Sequence, residues 1–182
     1  KGLITLATPM IISTVFSTVL NLVDFFFVGG LGPNALAAVQ VSFPVFFLII
    51  SLGQGMIIGS TALISKRMGE KNKKWAEETG LHAIFIALIL SAIFTFTAIV
   101  APDIAGSLGV GAEVTRMASD YMQVIFMGSS VFFILFALQS ILQGEGHTKM
   151  VMKISLIFTF LNAGLDIPFI YWLNLGVGGA AI

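Results

Sequence analysis

Long uninterrupted apolar stretches dominate the sequence. Residues 2–23, 25–65, 79–102 and 121–144 contain no Asp, Glu, Lys or Arg. A helix of roughly 20 apolar residues is long enough to cross the hydrocarbon core of a bilayer. The pattern therefore predicts an all-α fold, a polytopic bundle of membrane helices.

Turn-forming and charged residues divide these stretches into five full membrane spans and the start of a sixth. We predict spans at about residues 2–28, 35–65, 79–101, 117–143 and 151–173, with the sixth starting near residue 177. The second span is long for one crossing, so we expect it to tilt, bend at Pro44 or protrude from the membrane. We expect the third to stop at Pro102. Because the chain begins at Lys1 and ends in an apolar run, we expect it to be a piece of a longer protein.

The composition agrees with this architecture and excludes several classes of function. Charged residues make up 10% of the chain, whereas a soluble domain usually has about 25%. The nine basic residues balance the nine acidic ones, which excludes a nucleic-acid binder that relies on a net basic surface. The chain contains no cysteine, which excludes a disulfide framework, a thiolate metal site and a cysteine nucleophile.

The basic residues predict the orientation of the spans. Eight of them fall on one side of the membrane, at Lys1 and in the loops after the second and fourth spans, and the other side holds only Arg116. Short cytoplasmic loops are enriched in Lys and Arg. We therefore predict a multi-pass protein of the plasma membrane with a cytoplasmic N-terminus.

Two carboxylates, Asp24 and Asp166, lie inside the apolar spans. An intramembrane carboxylate is costly unless it faces protein or water, so it marks either a functional site or a structural polar group bonded to neighbouring helices. At the helical rise, Asp24 lies about 7 Å and Asp166 about 10 Å from the outer ends of their spans. We expect the two in one layer, each with an amide on its own helix face, Asn21 and Asn162.

The residues near these carboxylates are suited to binding a small cation. Pro168 has no N–H group, so the carbonyl of Gly164 loses its helical partner. Carboxylate, amide and carbonyl oxygens are ligands suited to Na⁺, and broken helices form such sites in transporters. The same carboxylates could carry protons instead. We predict a cation site at Asp24, Asn162 and Asp166 that binds either H⁺ or Na⁺. We expect no other metal or cofactor.

Uncharged polar residues also lie within the spans or at their edges, namely Gln54, His82, Gln139 and Gln143. Hydrogen bonding between helices is the default role for such groups. Contact with a substrate cavity is the alternative role, and we predict it for Gln54 and Gln139. The Gly-x-x-x-Gly pattern at Gly55 and Gly59 predicts close helix packing.

Six stretches in this order resemble the multidrug and toxic compound extrusion (MATE) transporters, in the prokaryotic branch related to the DNA-damage-inducible F type. The stretches are ATPM at 7–10, NLVDFFFVGGLG at 21–32, ALAAV at 35–39, QGEGHTK at 143–149, NAGLDIPFIY at 162–171 and LGVGGAAI at 175–182. No single stretch is diagnostic, but together they extend over almost the whole chain.

The resemblance implies a twelve-helix transporter of two six-helix lobes, of which this chain would be most of the N-terminal one. Such proteins need no cofactor and exchange H⁺ or Na⁺ for cationic amphipathic drugs by alternating access. Asp24 and Asp166 match the family's N-lobe carboxylates, with Asn162 and Tyr121 in the same hydrogen-bond network. Pro9 matches a proline at which the first helix bends. The partners implied are lipid and the C-terminal lobe.

Two alternatives compete with an antiporter. A lipid-linked oligosaccharide flippase of related architecture would need a more cationic cavity, and the spans offer no buried Lys or Arg. An intramembrane diaspartyl protease would place its aspartates after Tyr and in Gly-x-Gly-Asp, whereas Val23 precedes Asp24 and Leu165 precedes Asp166. We therefore predict a transporter and not an enzyme.

Overall fold

The computed structural model describes residues 7–8, 11–12, 14–16, 18–19 and 29–167, with only the backbone described at 162, 163 and 165–167. The described residues before position 20 are helical. The helices that follow are α1 (Pro33–Gly69), α2 (Lys73–Thr97), a 3-10 turn (Ala98–Val100), α3 (Ala101–Ser107), α4 (Ala112–Gly144) and α5 (Thr148–Ile167). The predicted all-α helix bundle is confirmed.

Three helical stretches of the described chain are long and apolar enough to cross a membrane. They are Pro33–Gly69, Lys73–Ser107 and Ala112–Gly144, with mean hydropathies of 2.2, 2.7 and 2.1. Each coincides with a predicted span, from the second to the fourth. Most side chains in these stretches are not buried by the described protein, as expected for helices whose outer faces contact lipid.

The helices extend beyond the predicted spans. α1 continues for 37 residues through Pro44. After α2 the helical path passes through the 3-10 turn into α3, so it does not stop at Pro102 as we expected. Pro102 occupies the first turn of α3, where a backbone N–H has no helical acceptor and its absence costs nothing. The helices are thus longer than the predicted spans. The residues at which each span enters and leaves the membrane stay a prediction.

Helices α1 and α4 run parallel in a constant register. Three hydrogen bonds between them join residues that are each 79 positions apart: Asn34 Nδ2 to Glu113 Oε2 at 2.7 Å, Thr61 Oγ1 to the Ser140 carbonyl at 3.2 Å, and Ser65 Oγ to the Gly144 carbonyl at 3.2 Å. These bonds are distributed along almost the whole length of both helices, from Asn34 to Ser65 of α1. We call the two ends of the bundle the Pro33 end and the Gly69 end.

Helix α2 packs against α4 through a stripe of small side chains. Its buried residues are nearly all Ala, Gly or Ser at helical spacing: Ala76, Gly80, Ala83, Ala87, Ser91 and Phe94. Small residues allow helix backbones to approach closely where lipid supplies no hydrophobic driving force. The one large member, Phe94, packs against Phe126 and Phe133 with ring centroids 6.2 and 5.4 Å away. α4 therefore lies at the centre of the described bundle, contacting α1, α2 and α3.

Close contact between α1 and α4 is made at Gly53 and Gly144, and not at the predicted glycine pair. A Cβ added to Gly53 would overlap the ring of Phe136, and one added to Gly144 would lie 2.6 Å from Ile64. Gly55 and Gly59 are exposed, and no described atom lies within 4 Å of an added Cβ. The packing role expected for Gly55 and Gly59 is wrong within the described chain, because this face of α1 points away from α4.

Candidate functional site

The residues predicted to bind a coupling cation are described only in part. Asn21, Asp24, Pro9 and Pro168 lie outside the described residues. Asn162 and Asp166 belong to α5, which is helical at both positions. Because they are four residues apart, they occupy the same face of α5, one turn from each other.

Tyr121 lies in the third turn of α4, at the Pro33 end. Its half-buried side chain packs against the small cluster formed by Ala35 and Val39 of α1, together with Met117. The parallel register of the helices explains this position, since the first turns of α1 and α4 are joined by the bond from Asn34 to Glu113. Tyr121 is thus held between two helices near one end of the bundle.

An aromatic contact links the N-terminal helical segment to α5. The rings of Phe16 and Phe160 lie 6.1 Å apart between centroids at an interplanar angle of 59°. Tilted pairs at this distance are a favourable arrangement for aromatic rings. The contact brings the chain segment that leads to Asp24 beside the helix that carries Asp166.

A cavity of about 420 Å³ lies between α1, α4, α5 and the N-terminal segment, towards the Gly69 end. Its wall carries no charged side chain among the described residues and combines three amides and three hydroxyls with apolar groups. The lining residues are Thr14, Gln54, Ile57, Ile58, Thr61, Ala62, Gln139, Gln143, Thr148, Val151 and Met152. The structure thus brings Gln54 and Gln139, the two residues predicted to line a substrate cavity, together with Gln143.

His82 does not line this cavity. Its side chain is exposed on α2, and its Nδ1 is 2.7 Å from the backbone carbonyl oxygen of Glu78 in the preceding turn. Among the described residues no group of three or more His, Asp or Glu side chains is close enough to hold a metal ion.

The hydroxyl groups of the cavity were not predicted from the sequence. Thr61 follows Gln54 by seven residues, a spacing that places both on one face of α1 and could have identified it. Thr148 follows the turn at Gly146 (φ 84°), and no periodicity in the sequence indicates where a residue after such a turn will point.

Comparison with known proteins identifies the family. The MatE family profile matches residues 9–168. The chain is 28% identical to the multidrug export protein MepA of Staphylococcus saprophyticus over 184 residues, covering 100% of this chain and 41% of that protein.

Solved structures give the same result. A MOP superfamily transporter from Pyrococcus furiosus, described as having a binding pocket of reverse polarity that suggests a different function, superimposes with a TM-score of 0.94 at 35% identity. A multidrug resistance MATE family transporter in its outward-facing conformation superimposes with a TM-score of 0.92 at 36% identity. Each match covers 99% of this chain and 40% of the other. The chain therefore spans about two fifths of the length of the proteins it matches.

Proposed function

This chain belongs to the MatE family of transporters, and on that premise we propose that it forms most of the N-terminal lobe of a cation-coupled multidrug antiporter. Members of this family are transporters and not enzymes, which excludes the diaspartyl protease. We propose that the complete protein exports cationic amphipathic compounds by alternating access. Its coupling cation, H⁺ or Na⁺, would bind at Asp24 and Asp166.

The observation that carries this proposal is the contact between Phe16 and Phe160. Asp24 follows Phe16 by eight residues, and Asp166 follows Phe160 by six. For two parallel helical segments with a rise of 1.5 Å per residue, that difference corresponds to about 3 Å in height. The contact thus supports a shared layer for the two carboxylates.

The position of Tyr121 supports the same site. Asp166 lies eighteen residues from the start of α5, and Tyr121 lies twenty-three residues from the end of α4. Because a short turn joins these two helix ends, the backbones at Tyr121 and Asp166 differ in height by about 8 Å. A tyrosine hydroxyl can span most of such a difference, directly or through one water. We propose that Tyr121 helps to orient the carboxylates.

The chemistry of the site follows from its oxygen groups. We propose that the amides of Asn21 and Asn162 complete the cation shell, with the carbonyl freed by Pro168 as a further ligand. Binding a cation neutralises carboxylates that would otherwise be unfavourable in the membrane. We propose that this change alters the bend of the first span near Pro9 and releases substrate outward.

The basic residues support the proposed orientation. Lys66 and Arg67 occupy the last turn of α1, and Lys73 and Lys74 begin α2, so all four lie at the Gly69 end. Clusters of Lys and Arg favour the cytoplasmic side. We propose that the Gly69 end is cytoplasmic in the plasma membrane and that the N-terminus lies on the same side. The C-terminal lobe would be the main protein partner.

A flippase for lipid-linked oligosaccharides fits the described residues less well. Its cavity would have to bind a pyrophosphate, for which Arg and Lys are the usual ligands. No Lys or Arg is found among the described residues that line the cavity. We therefore keep multidrug export as the proposed function.

The test is efflux from vesicles that contain the full-length protein. A lipophilic cationic dye is loaded, and either a proton or a sodium gradient is imposed. We expect Asp24→Asn and Asp166→Asn each to reduce efflux to the rate of protein-free vesicles under the gradient that drives the wild type. The variants cannot exchange charge at these positions.

The matched control is Asp103→Asn, which removes an exposed carboxylate at the start of α3 and should leave efflux unchanged. Wild-type efflux in both Asp24→Asn and Asp166→Asn would overturn the proposed site. Failure of the wild type to transport the dye under either gradient would overturn the proposed coupling.

A further inference from the structure

The turn between α1 and α2 carries five basic side chains, which we call the basic patch: Lys66, Arg67, Lys71, Lys73 and Lys74. All are exposed except Arg67, which is half-buried. Arg67 pairs with Glu70 at 3.1 Å and Lys73 with Glu77 at 3.8 Å. The other three lysines form no ion pair with any described residue. The patch therefore presents uncompensated positive charge at the Gly69 end.

The backbone of the turn fixes the arrangement of these side chains. Lys71 has a φ of 57°, in the left-handed region that residues other than glycine rarely adopt. Its N–H donates to the Met68 carbonyl at 3.0 Å, and the Asn72 N–H donates to the Arg67 carbonyl at 3.0 Å. The Asn72 side chain accepts a hydrogen bond from the Trp75 N–H at 3.3 Å. The patch thus lies on a hydrogen-bonded turn of defined shape.

Arg67 lies over the ring of Trp75, with its guanidinium carbon 4.9 Å from the ring centroid. A guanidinium at this distance is attracted to the ring face. One hydrogen bond from its Nη1 goes to Glu70 at 3.1 Å, and a guanidinium has five N–H donors. The ring holds the guanidinium plane in place, which suits it to bind a phosphate through two parallel hydrogen bonds.

The face of α2 that continues from Trp75 is apolar. Ile86 follows Trp75 by eleven residues, and Ile89 and Ile93 follow at spacings of three and four, so all lie on one side of the helix. The four side chains are between 45% and 54% exposed. Tryptophan is enriched at the level of lipid headgroups, and this stretch of α2 is long and apolar enough to cross the membrane. A basic, phosphate-binding surface therefore lies directly above a face suited to acyl chains.

We propose that the basic patch binds the phosphate headgroup of an anionic phospholipid, whose acyl chains lie along Ile86, Ile89 and Ile93. Arg67 would hold the phosphate, and Lys71 and Lys74 would attract it. The turn contains five basic and three acidic residues, so its net charge complements an anionic headgroup. A lipid fits better than a free phosphate ion, which would leave the apolar face uncovered. This lipid site does not depend on the proposed substrate, coupling cation or orientation.

The experiment measures which lipids contact Trp75 in the full-length protein. Residues 1–182 contain two tryptophans; Trp172 and any tryptophan elsewhere are replaced by phenylalanine, so that Trp75 is the fluorescent reporter. The protein is reconstituted in phosphatidylcholine vesicles that contain brominated phosphatidylglycerol or brominated phosphatidylcholine, with the bromine atoms near the headgroup. Because bromine quenches tryptophan only at short range, the quenching by the two lipids gives their relative binding constant at this position.

We expect wild-type Trp75 to prefer the anionic lipid by at least about 5-fold. Lys71→Gln and Lys74→Gln should each lower this preference about 2- to 5-fold, because each removes one positive charge near the headgroup. Arg67→Lys keeps the charge but loses the planar donor group, and it should also lower the preference about 2- to 5-fold. Orientation depends on the number of charges and not on this geometry, so Arg67→Lys separates lipid binding from topology.

The matched control is Arg116→Gln, which removes an exposed basic residue at the Pro33 end and should keep the wild-type preference. Asp24→Asn should keep it too, whatever that variant does to efflux. The lipid site and the coupling site can therefore fail independently.

Equal quenching by the two brominated lipids in the wild type would overturn the proposal. A wild-type preference in Arg67→Lys would overturn the binding of phosphate by the stacked guanidinium, and one in both Lys71→Gln and Lys74→Gln would overturn the role of the lysines. Relief of the quenching by soluble sn-glycerol 3-phosphate would indicate a site for free anions and would overturn the assignment to a lipid.

Discussion

Replacing Gly144 by alanine tests the packing of α4 on α1. The added Cβ would lie 2.6 Å from Cβ and Cγ2 of Ile64 and 3.4 Å from the Thr61 carbonyl oxygen. Ile64 is 1% exposed and branched at Cβ, so its side chain has little freedom to move away. The hydrogen bond from Ser65 to the Gly144 carbonyl also resists separation of the helices.

The expected magnitude follows from two opposing effects. Overpacking of this kind costs about 1–3 kcal/mol, whereas alanine favours the helix over glycine by about 1 kcal/mol. We expect Gly144→Ala to lower the free energy of unfolding by up to about 2 kcal/mol. The matched variant is Gly128→Ala on the same helix, where an added Cβ meets no described atom within 4 Å, and it should be neutral or stabilising.

The assay is thermal unfolding of the full-length protein in one detergent, followed by tryptophan fluorescence. We expect the midpoint of Gly144→Ala to fall below that of the wild type, and that of Gly128→Ala to equal or exceed it. Equal midpoints for the two variants would refute the close approach of α1 and α4 at this position.

Two further predictions concern contacts between elements. A double-mutant cycle with Phe16→Ala and Phe160→Ala should give a coupling free energy of about 0.5–1.5 kcal/mol from unfolding midpoints, and a coupling of zero would contradict the ring contact. Thr61→Val should reduce stability by about 1 kcal/mol, because it removes the hydrogen bond to the Ser140 carbonyl. Thr61→Ser keeps the hydroxyl and should retain most of that stability; equal loss in both variants would assign the effect to packing instead.

The sequence determines the helical architecture more fully than it determines the helix faces. Charge-free stretches of the required length predicted α1, α2 and α4 as membrane helices. The same stretches are apolar on all sides, so hydropathy does not indicate which face meets another helix and which meets lipid. This is why Gly55 and Gly59 were assigned to a packed interface, while the described glycines packed between α1 and α4 are Gly53 and Gly144.

The cation site at Asp24 and Asp166 stays a prediction, and the lining of the cavity was predictable only in part. Polar residues are rare in these spans, so Gln54 and Gln139 stood out as candidates for a cavity, and the structure places both in its wall. That they share one cavity depends on the register between α1 and α4, which is set by pairs such as Thr61 and Ser140 that are far apart in sequence. The position of Thr148 in the cavity wall could not be predicted from the sequence, because it depends on the geometry of the turn before α5.

The ion movement that accompanies transport tests the proposed coupling site most directly. Vesicles containing the full-length protein and no imposed gradient receive a cationic dye on one side, and the resulting flux of H⁺ or Na⁺ is recorded. We predict that the wild type moves one of these ions against the dye and that Asp24→Asn and Asp166→Asn move neither. An undiminished, dye-dependent ion flux in these two variants would contradict a coupling site at Asp24 and Asp166.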